Sequence, residues 1–250
     1  MAQAKLGVQL IVFGGRPGED LAGVLRDVRA AGYAGIEAGN LFQIAPCQGC
    51  AMSALEETGL AVAGMHTGYG DMADPAKVDA NIEYLQAVGG KYLICSGVKD
   101  NESLQGYIES GETFNTVGRR CREAGLAFAY HNHAWEFKEF GGQKGIHALI
   151  AATDPELVKL CIDVYWVHIG GEAPAEFIER YHDRAGYYHF KDGSPGKFIE
   201  LGQGEVDLVA AKEAALKYDA DWIVCEQDRS DLDPAESVKI SYEYLKGIGL

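Results

Sequence analysis

The sequence predicts a single-domain α/β protein of the (β/α)8, or TIM, barrel class, spanning residues 1–250. Three observations lead there. Short apolar runs alternate with amphipathic segments from one end of the chain to the other, the pattern of a parallel sheet covered by helices. Eight such runs fit into 250 residues, the usual size of such a barrel. Four of the runs end not in ordinary turn residues but in side chains that bind metals or move protons. The rival architecture, a doubly wound open sheet, would need a Gly-x-Gly-x-x-Gly after its first strand, and Gly14-Gly15 lacks the rest of that fingerprint.

The expected strands are Gly7 to Phe13, Gly35 to Glu37, Ala61 to His66, Tyr92 to Ser96, Leu126 to His133, Val158 to Asp163, Tyr187 to Lys191 and Trp222 to Glu226. Between the first two, Leu21, Val24, Leu25 and Val28 recur at helical spacing. Helices are expected over Val78 to Val88, Thr113 to Ala124, His147 to Ala152, Ala175 to Tyr181, Leu208 to Lys217 and Ala235 to Leu245. Asp74-Pro75, Asp154-Pro155 and Asp233-Pro234 mark turns or helix starts, since Asp can cap a helix whose first turn accepts Pro. Gly202-Gln203-Gly204 lacks the Lys-Ser/Thr of a phosphate loop and reads as a glycine-rich turn before a helix. Asp192-Gly193 reads as a turn with a structural Asp, and His147, His168 and His182 as surface or packing residues.

The composition is 47% apolar and 24% charged, enough to bury a large core. A net charge of -15 opposes nucleic-acid binding, because phosphate contacts need a basic surface. No stretch is long and apolar enough to span a membrane, and no leader pattern is apparent, so a cytoplasmic protein is expected. Cys95, Cys161 and Cys225 lie in strand-like runs, where reduced cysteine behaves as a small hydrophobe. Cys47-Gln48-Gly49-Cys50 has no second CxxC to complete a zinc site, and two free thiols are expected there.

Side chains at the C-terminal ends of barrel strands converge on one basin. Here these are Glu37, His66, His131, His133, Glu136, Asp163, His189, Lys191 and Glu226. Such a mixture of carboxylates and imidazoles suits Mn²⁺, Co²⁺, Fe²⁺ or Zn²⁺ and is too rich in His for a typical Mg²⁺ or Ca²⁺ site. His131 and His133 are two residues apart and share a strand face, as do His189 and Lys191. Taken singly, each position has a bland explanation; Asp163, for instance, could simply cap the next helix. Taken together, four equivalent strand ends favour a site. Trp135, Phe137 and Trp166 lie just beyond strand ends, where they would serve equally as core or as a wall beside a sugar ring.

Several ordered motifs make the chain resemble the sugar phosphate isomerase/epimerase family, the xylose isomerase-like TIM barrels. They are Gly32-Tyr33-Ala34-Gly35-Ile36-Glu37, His66, Tyr130-His131-Asn132-His133-Ala134-Trp135-Glu136-Phe137, Ile162-Asp163-Val164-Tyr165-Trp166, Gly170-Gly171, His189-Phe190-Lys191-Asp192, Gly202-Gln203-Gly204-Glu205-Val206-Asp207 and Glu226-Gln227-Asp228. The resemblance covers almost the whole chain. It implies a divalent metal held by strands five to eight, with Asp163, His189 and Glu226 matching three of the usual ligands. Many relatives carry Glu at strand five. This chain has His131 there, the expected ligand, with Glu136 as its rival.

The Tyr-His-Asn-His version resembles inosose dehydratases and enzymes that eliminate from or hydrate 3-keto-glycosides. The resemblance therefore implies a metal-dependent isomerase, epimerase, dehydratase or lyase that removes a proton beside the carbonyl of a sugar, keto-sugar or keto-inositol. Glu226 or His133 would be the base, with Glu136 a further candidate for catalysis. Lys191 would stabilise the oxyanion or assist the leaving group, and Glu37, His66 and Trp166 would orient substrate hydroxyls. A carbohydrate is the expected partner, with a homo-oligomer left open. The related endonuclease IV activity is disfavoured by the acidic charge. The non-enzymatic alternative is a sugar-binding or subunit role on a decayed barrel.

Overall fold

The computed structural model describes residues 4–39 and 48–250. Among them, eight parallel strands close into a barrel. In chain order they are β1 (Lys5–Gln9), β2 (Gly35–Ala38), β3 (Ala61–Gly68), β4 (Tyr92–Ser96), β5 (Ala127–His131), β6 (Val158–Asp163), β7 (Ala185–Phe190) and β8 (Trp222–Cys225). Each pairs with its neighbours in sequence, and β1 closes the ring on β8 through Lys5 opposite Trp222 and Val8 opposite Cys225.

Strand alternation divides the core into two layers. Ile94, Ala129, Cys161, Tyr187, Trp222 and Val224 fill the barrel interior. The opposite faces, among them Leu6, Val8, Ile36, Leu93, Phe128, Leu160, Ile162, Tyr188 and Ile223, join the surrounding helices in a larger core. Gly35 belongs to the interior because a Cβ there would lie 2.6 Å from the Ala61 carbonyl oxygen and from the Trp222 ring.

Capping places the helices largely where the sequence suggests. Asp74 and Asp233 accept from the backbone N–H of Ala76 and Ala235 at the starts of the helices Pro75–Ala87 and Pro234–Gly247. Asp207 caps Leu208–Lys217. Asp154 instead folds a turn, its carboxylate accepting from Glu156 N–H.

Boundaries shift by one or two residues at several strands, and three differences have a clear local cause or consequence. β1 stops at Gln9, whose side chain accepts from Ile11 N–H and turns Leu10–Phe13 into a 3-10 helix. β5 stops at His131. The helix expected from Thr113 begins at Leu104, capped by Ser103. Gly106 and Gly111 obscured its first turns, yet Gly111, like Gly118 further along, has a packing reason. A Cβ on either would strike Ala152 or Leu157, so they let the helix lie close to its neighbours.

Cys95, Cys121, Cys161 and Cys225 are free and buried. Cys50 is disulfide-bonded, which corrects the expectation of a free thiol; the other cysteine of that motif, Cys47, lies outside the described residues.

After β7 the chain makes a small antiparallel hairpin, Asp192–Ser194 with Lys197–Ile199. Asp192 is buried and accepts from the N–H groups of Gly193, Gly202, Gly204 and Val206 at 2.9–3.1 Å. The glycine-rich stretch thus wraps a carboxylate of the protein itself. Asp192→Ala would strand several buried donors. It should lower unfolding stability by roughly 2–4 kcal/mol in urea titration; a change below about 0.5 kcal/mol would count against this function for the carboxylate.

Candidate metal centre

The interior row of each strand continues past the apolar core into polar side chains. Ala129 is followed two residues on by His131, Cys161 by Asp163, Tyr187 by His189 and Val224 by Glu226. These four polar residues are buried, and one donor atom from each lies within 4.8 Å of the others. His131 Nε2 is 3.4 Å from Asp163 Oδ2 and 3.5 Å from Glu226 Oε2. His189 Nδ1 meets the same Glu226 oxygen.

All four atoms, His131 Nε2, Asp163 Oδ2, His189 Nδ1 and Glu226 Oε2, are buried, and their contacts are with one another rather than with well-aligned hydrogen-bond partners outside the group. Stranding so many polar atoms is costly unless something occupies the point they face. Ligands about 2.1 Å from one ion lie at most about 4.2 Å apart, so only a small contraction separates this arrangement from coordination. Two neutral imidazoles and two carboxylates also balance the charge of a divalent cation. The group could therefore hold a metal.

Neighbouring residues fix these donors. Asp163 is both helix cap and member of the group: its Oδ1 accepts from Trp166 N–H at 2.9 Å while Oδ2 faces the other donors. Asn132, which follows the end of β5, exchanges two hydrogen bonds with Asp163. Its amide replaces a backbone rung between β5 and β6, so the chain can leave the sheet without releasing Asp163.

Glu37 lies behind His189 rather than against open space. It accepts from His189 Nε2 at 2.6 Å, from the Tyr187 hydroxyl at 2.7 Å, and pairs with His66 Nδ1 at 3.0 Å. Burial pushes this carboxyl upward, but His189 and His66 outweigh it and bring it down to about 2. The bond to His189 Nε2 leaves Nδ1 aimed at the group, the arrangement in which a carboxylate orients a metal-binding imidazole. The β2–β3 register shifts between Ile36 and Glu37, beside this inward carboxylate.

Glu136, the rival to His131, is not among the four. Its Oε1 accepts from the Tyr130 hydroxyl at 2.6 Å and its Oε2 from His133 N–H at 2.8 Å. It braces the turn after β5. His133 lies in that turn, not on the strand, yet its ring still stands 4.8 Å from His131, stacked on the half-exposed Trp135. Burial, aided by His131, pushes its pKa down to about 2, so the ring is neutral at ordinary pH.

Lys191 is fully buried, paired with Asp228 and 3.4 Å from Glu226 Oε1. Trp166 and Phe198 cover it at 4.7 and 4.5 Å, so Trp166 packs on this cation. Phe137 belongs to the core.

A cavity of about 400 Å³ opens over the group, with His66, His133, Glu226 and Asp228 in its wall. Lys191, Glu37 and Trp166 are not in that wall. Gln9, Ser96 and Asp228 are, and the sequence reading missed them. Each continues an interior row by two residues, after Gly7, Ile94 and Glu226, and that step was the available signal.

Asp163→Ala should abolish stoichiometric metal in elemental analysis, while full occupancy would sink the assignment. Glu37→Gln should keep metal but weaken it about 10- to 100-fold in chelator competition, as expected for loss of an orienting carboxylate; unchanged affinity would refute that role.

Residues 25–248 match the family model described as xylose isomerase-like TIM barrel. An inosose dehydratase of Geobacillus kaustophilus is 26% identical, covering 89% of this chain and 85% of its own. Among solved structures, a sugar phosphate isomerase/epimerase from Parabacteroides distasonis superposes with a TM-score of 0.85 at 22% identity, covering 98% of this chain and 94% of its own. The IolI protein, solved with a bound zinc atom, gives 0.78 at 13% identity, covering 98% and 97%. With a model that spans nearly the whole chain and a barrel that superposes on these structures, the protein belongs to the xylose isomerase-like TIM barrel family.

Proposed function

We propose that this protein is a divalent-metal-dependent enzyme that removes a proton beside the carbonyl of a keto-sugar or keto-inositol. The observation that carries this reading is the convergence of four buried donors that face one another, from His131, Asp163, His189 and Glu226, beneath an open cavity. Relatives named inosose dehydratase support a dehydratase outcome. A zinc-bound neighbour of the same fold supports the metal. The mixed nitrogen and oxygen donors suit Mn²⁺, Co²⁺, Fe²⁺ or Zn²⁺ better than Mg²⁺.

Such an ion, when bound, polarises the substrate carbonyl and stabilises the enediolate charge. The residues do the rest. Glu226 borders the cavity as a carboxylate and is the base for the proton next to the carbonyl. Lys191 acts from behind: paired with Asp228 and close to Glu226 Oε1, it keeps that side chain ionised and aimed. Because it is buried outside the cavity wall, direct contact with an oxyanion is not its role in this arrangement. His133, neutral and in the cavity wall, hydrogen-bonds the substrate and relays to the hydroxyl that leaves or is inverted the proton that Glu226 has taken from carbon. Glu136 holds His133 in place through its backbone.

The test is product analysis with metal-loaded protein on an inosose and on 3-keto-glucosides. Loss of water or of the glycosidic group marks a dehydratase or lyase, and a rearranged sugar of equal mass marks an isomerase or epimerase. Chelation should abolish turnover and leave the cooperative thermal transition, because the barrel core is apolar and independent of the ion. A protein without stoichiometric metal or turnover would be a non-catalytic barrel. His133→Ala should retain metal and lower kcat by about 10²- to 10⁴-fold; metal loss in this variant would move the fourth ligand to His133.

A further inference from the structure

Four imidazoles meet at the candidate centre, those of His66, His131, His133 and His189, and three of them face a carboxylate. Glu37 pairs with His66 and His189, while His131 faces Asp163 and Glu226. His133 is the exception. Its Nδ1 is buried without a partner, and among the described residues its ring makes no hydrogen bond or ion pair. Glu136 reaches only its backbone N–H. The last torsion of a histidine side chain is broad rather than confined to narrow wells, so an unbonded ring turns easily. A contact other than a hydrogen bond must set the plane in which this ring faces the cavity.

Trp135 is placed to do this. Its indole lies on the imidazole with ring centroids 3.9 Å apart and planes 14° from parallel. The other rings beside His133 meet it at an angle, His131 at 4.8 Å and 80°, Trp166 at 5.5 Å and 43°. Only the Trp135 contact is face to face. The turn that carries the indole is itself fixed. The Tyr107 hydroxyl donates to the Trp135 carbonyl at 3.3 Å, the Tyr130 hydroxyl holds Glu136, and Phe137 is buried in the core. Trp135 is 40% exposed and lies outside the cavity wall, whereas His133 is part of that wall. The indole therefore touches the imidazole, not the space a substrate would fill.

We propose that Trp135 is a positioning residue whose stacked indole fixes the plane of the His133 ring and so aims it at the substrate. Hydrogen bonds weaken steeply as they bend, and those of an imidazole lie in its ring plane. A ring free to swing out of that plane would meet a substrate hydroxyl in only a fraction of its orientations. The inference rests on the role given to His133 above and adds the residue that holds the ring for it. Neither core packing nor a wall beside a sugar ring, the two uses open to Trp135 from sequence, describes this contact.

The experiment is a double-mutant cycle on Trp135 and His133, run with Mn²⁺-loaded protein on 2-keto-myo-inositol or methyl 3-keto-β-D-glucoside, whichever is turned over. Trp135→Ala should lower kcat about 10- to 100-fold, the cost of a misplaced catalytic group, with KM and metal content within about twofold of the parent. Trp135→Leu, which fills the space without a flat face, should lose about as much. Trp135→Phe, which can still stack, should come within about threefold of the parent. Added to His133→Ala, Trp135→Ala should cost less than about twofold more, because it acts through a ring already removed. In Zn²⁺-loaded protein, the His133 ring protons should move downfield in the NMR spectrum of Trp135→Ala as the indole ring current is lost. A kcat within about twofold of the parent in both the Ala and Leu variants overturns the proposal. So does a raised KM at unchanged kcat, which would make the indole a substrate wall, or a further loss of about tenfold in the His133→Ala background. Unmoved His133 ring protons overturn the stack itself. If His133→Ala alone leaves kcat unchanged, the role of His133 fails and this inference with it. A slow His133→Ala with a failed cycle overturns this inference alone. Turnover of neither probe overturns the proposed function and the inference together.

Discussion

A side chain on a barrel strand can point only inward or outward, and this two-way choice governs both core and site. Below, the inward row is Ile94, Ala129, Cys161, Tyr187 and Val224, buried and packed together. One step further along, the same rows present Ser96, His131, Asp163, His189 and Glu226. No special device is needed to gather these residues; eight strands tilted around one axis bring their inward rows together. The apolar layer also forms the floor of the polar one. It excludes water from beneath, so the interactions of His131, Asp163, His189 and Glu226 are felt at low dielectric.

That low dielectric makes the site demanding. Glu37, Asp163, Lys191 and Glu226 are all buried, and a buried charge must be compensated. Two separate solutions are visible. Glu37 is surrounded by donors from Tyr187, His66 and His189 and therefore belongs to a closed hydrogen-bonded set. Lys191 is matched by Asp228 and Glu226 and screened from solvent by aromatic faces. The four donor atoms face chiefly one another, two imidazoles against two carboxylates, and a divalent cation among them could satisfy all four at once.

Much of this was legible because it depends on period and placement. The eight apolar runs, the Asp-Pro helix starts and the strand-end residues carry direct physical signals. What was not legible depends on which neighbour a polar side chain meets. Glu136 is close in sequence to His131, yet Tyr130 and His133 occupy both its oxygens. Glu37 reads as a substrate ligand until His189 is found across the barrel, 152 positions away. Lys191 reads as a cation that meets the substrate until Asp228 and the Phe198 ring enclose it. Asn132, read only as part of a motif, turns out to substitute for a strand rung. The end of β1 was missed because the apolar run Leu10 to Phe13 continues after Gln9 has turned the backbone.

The loop after β8 illustrates how chemistry is held by residues that never reach it. Glu226 and Asp228 face the cavity, while Gln227 between them is buried and donates to Glu200 Oε1 at 3.2 Å. The same oxygen accepts from Ser230 at 2.6 Å and from Ser237 at 2.8 Å. Glu200 follows the hairpin that begins at Asp192, and Asp192 gathers the glycine-rich stretch beyond it. One side of the strand-eight loop is therefore tied to the segment that leaves strand seven, and its other side presents two carboxylates to the cavity. Since β7 also carries His189 and the residue after it is Lys191, the two strand ends are coupled through both faces of the same short loops. The barrel supplies convergence, but the spacing between Glu226, Lys191 and Asp228 is set by these lateral hydrogen bonds, and with it the charge that an incoming substrate meets.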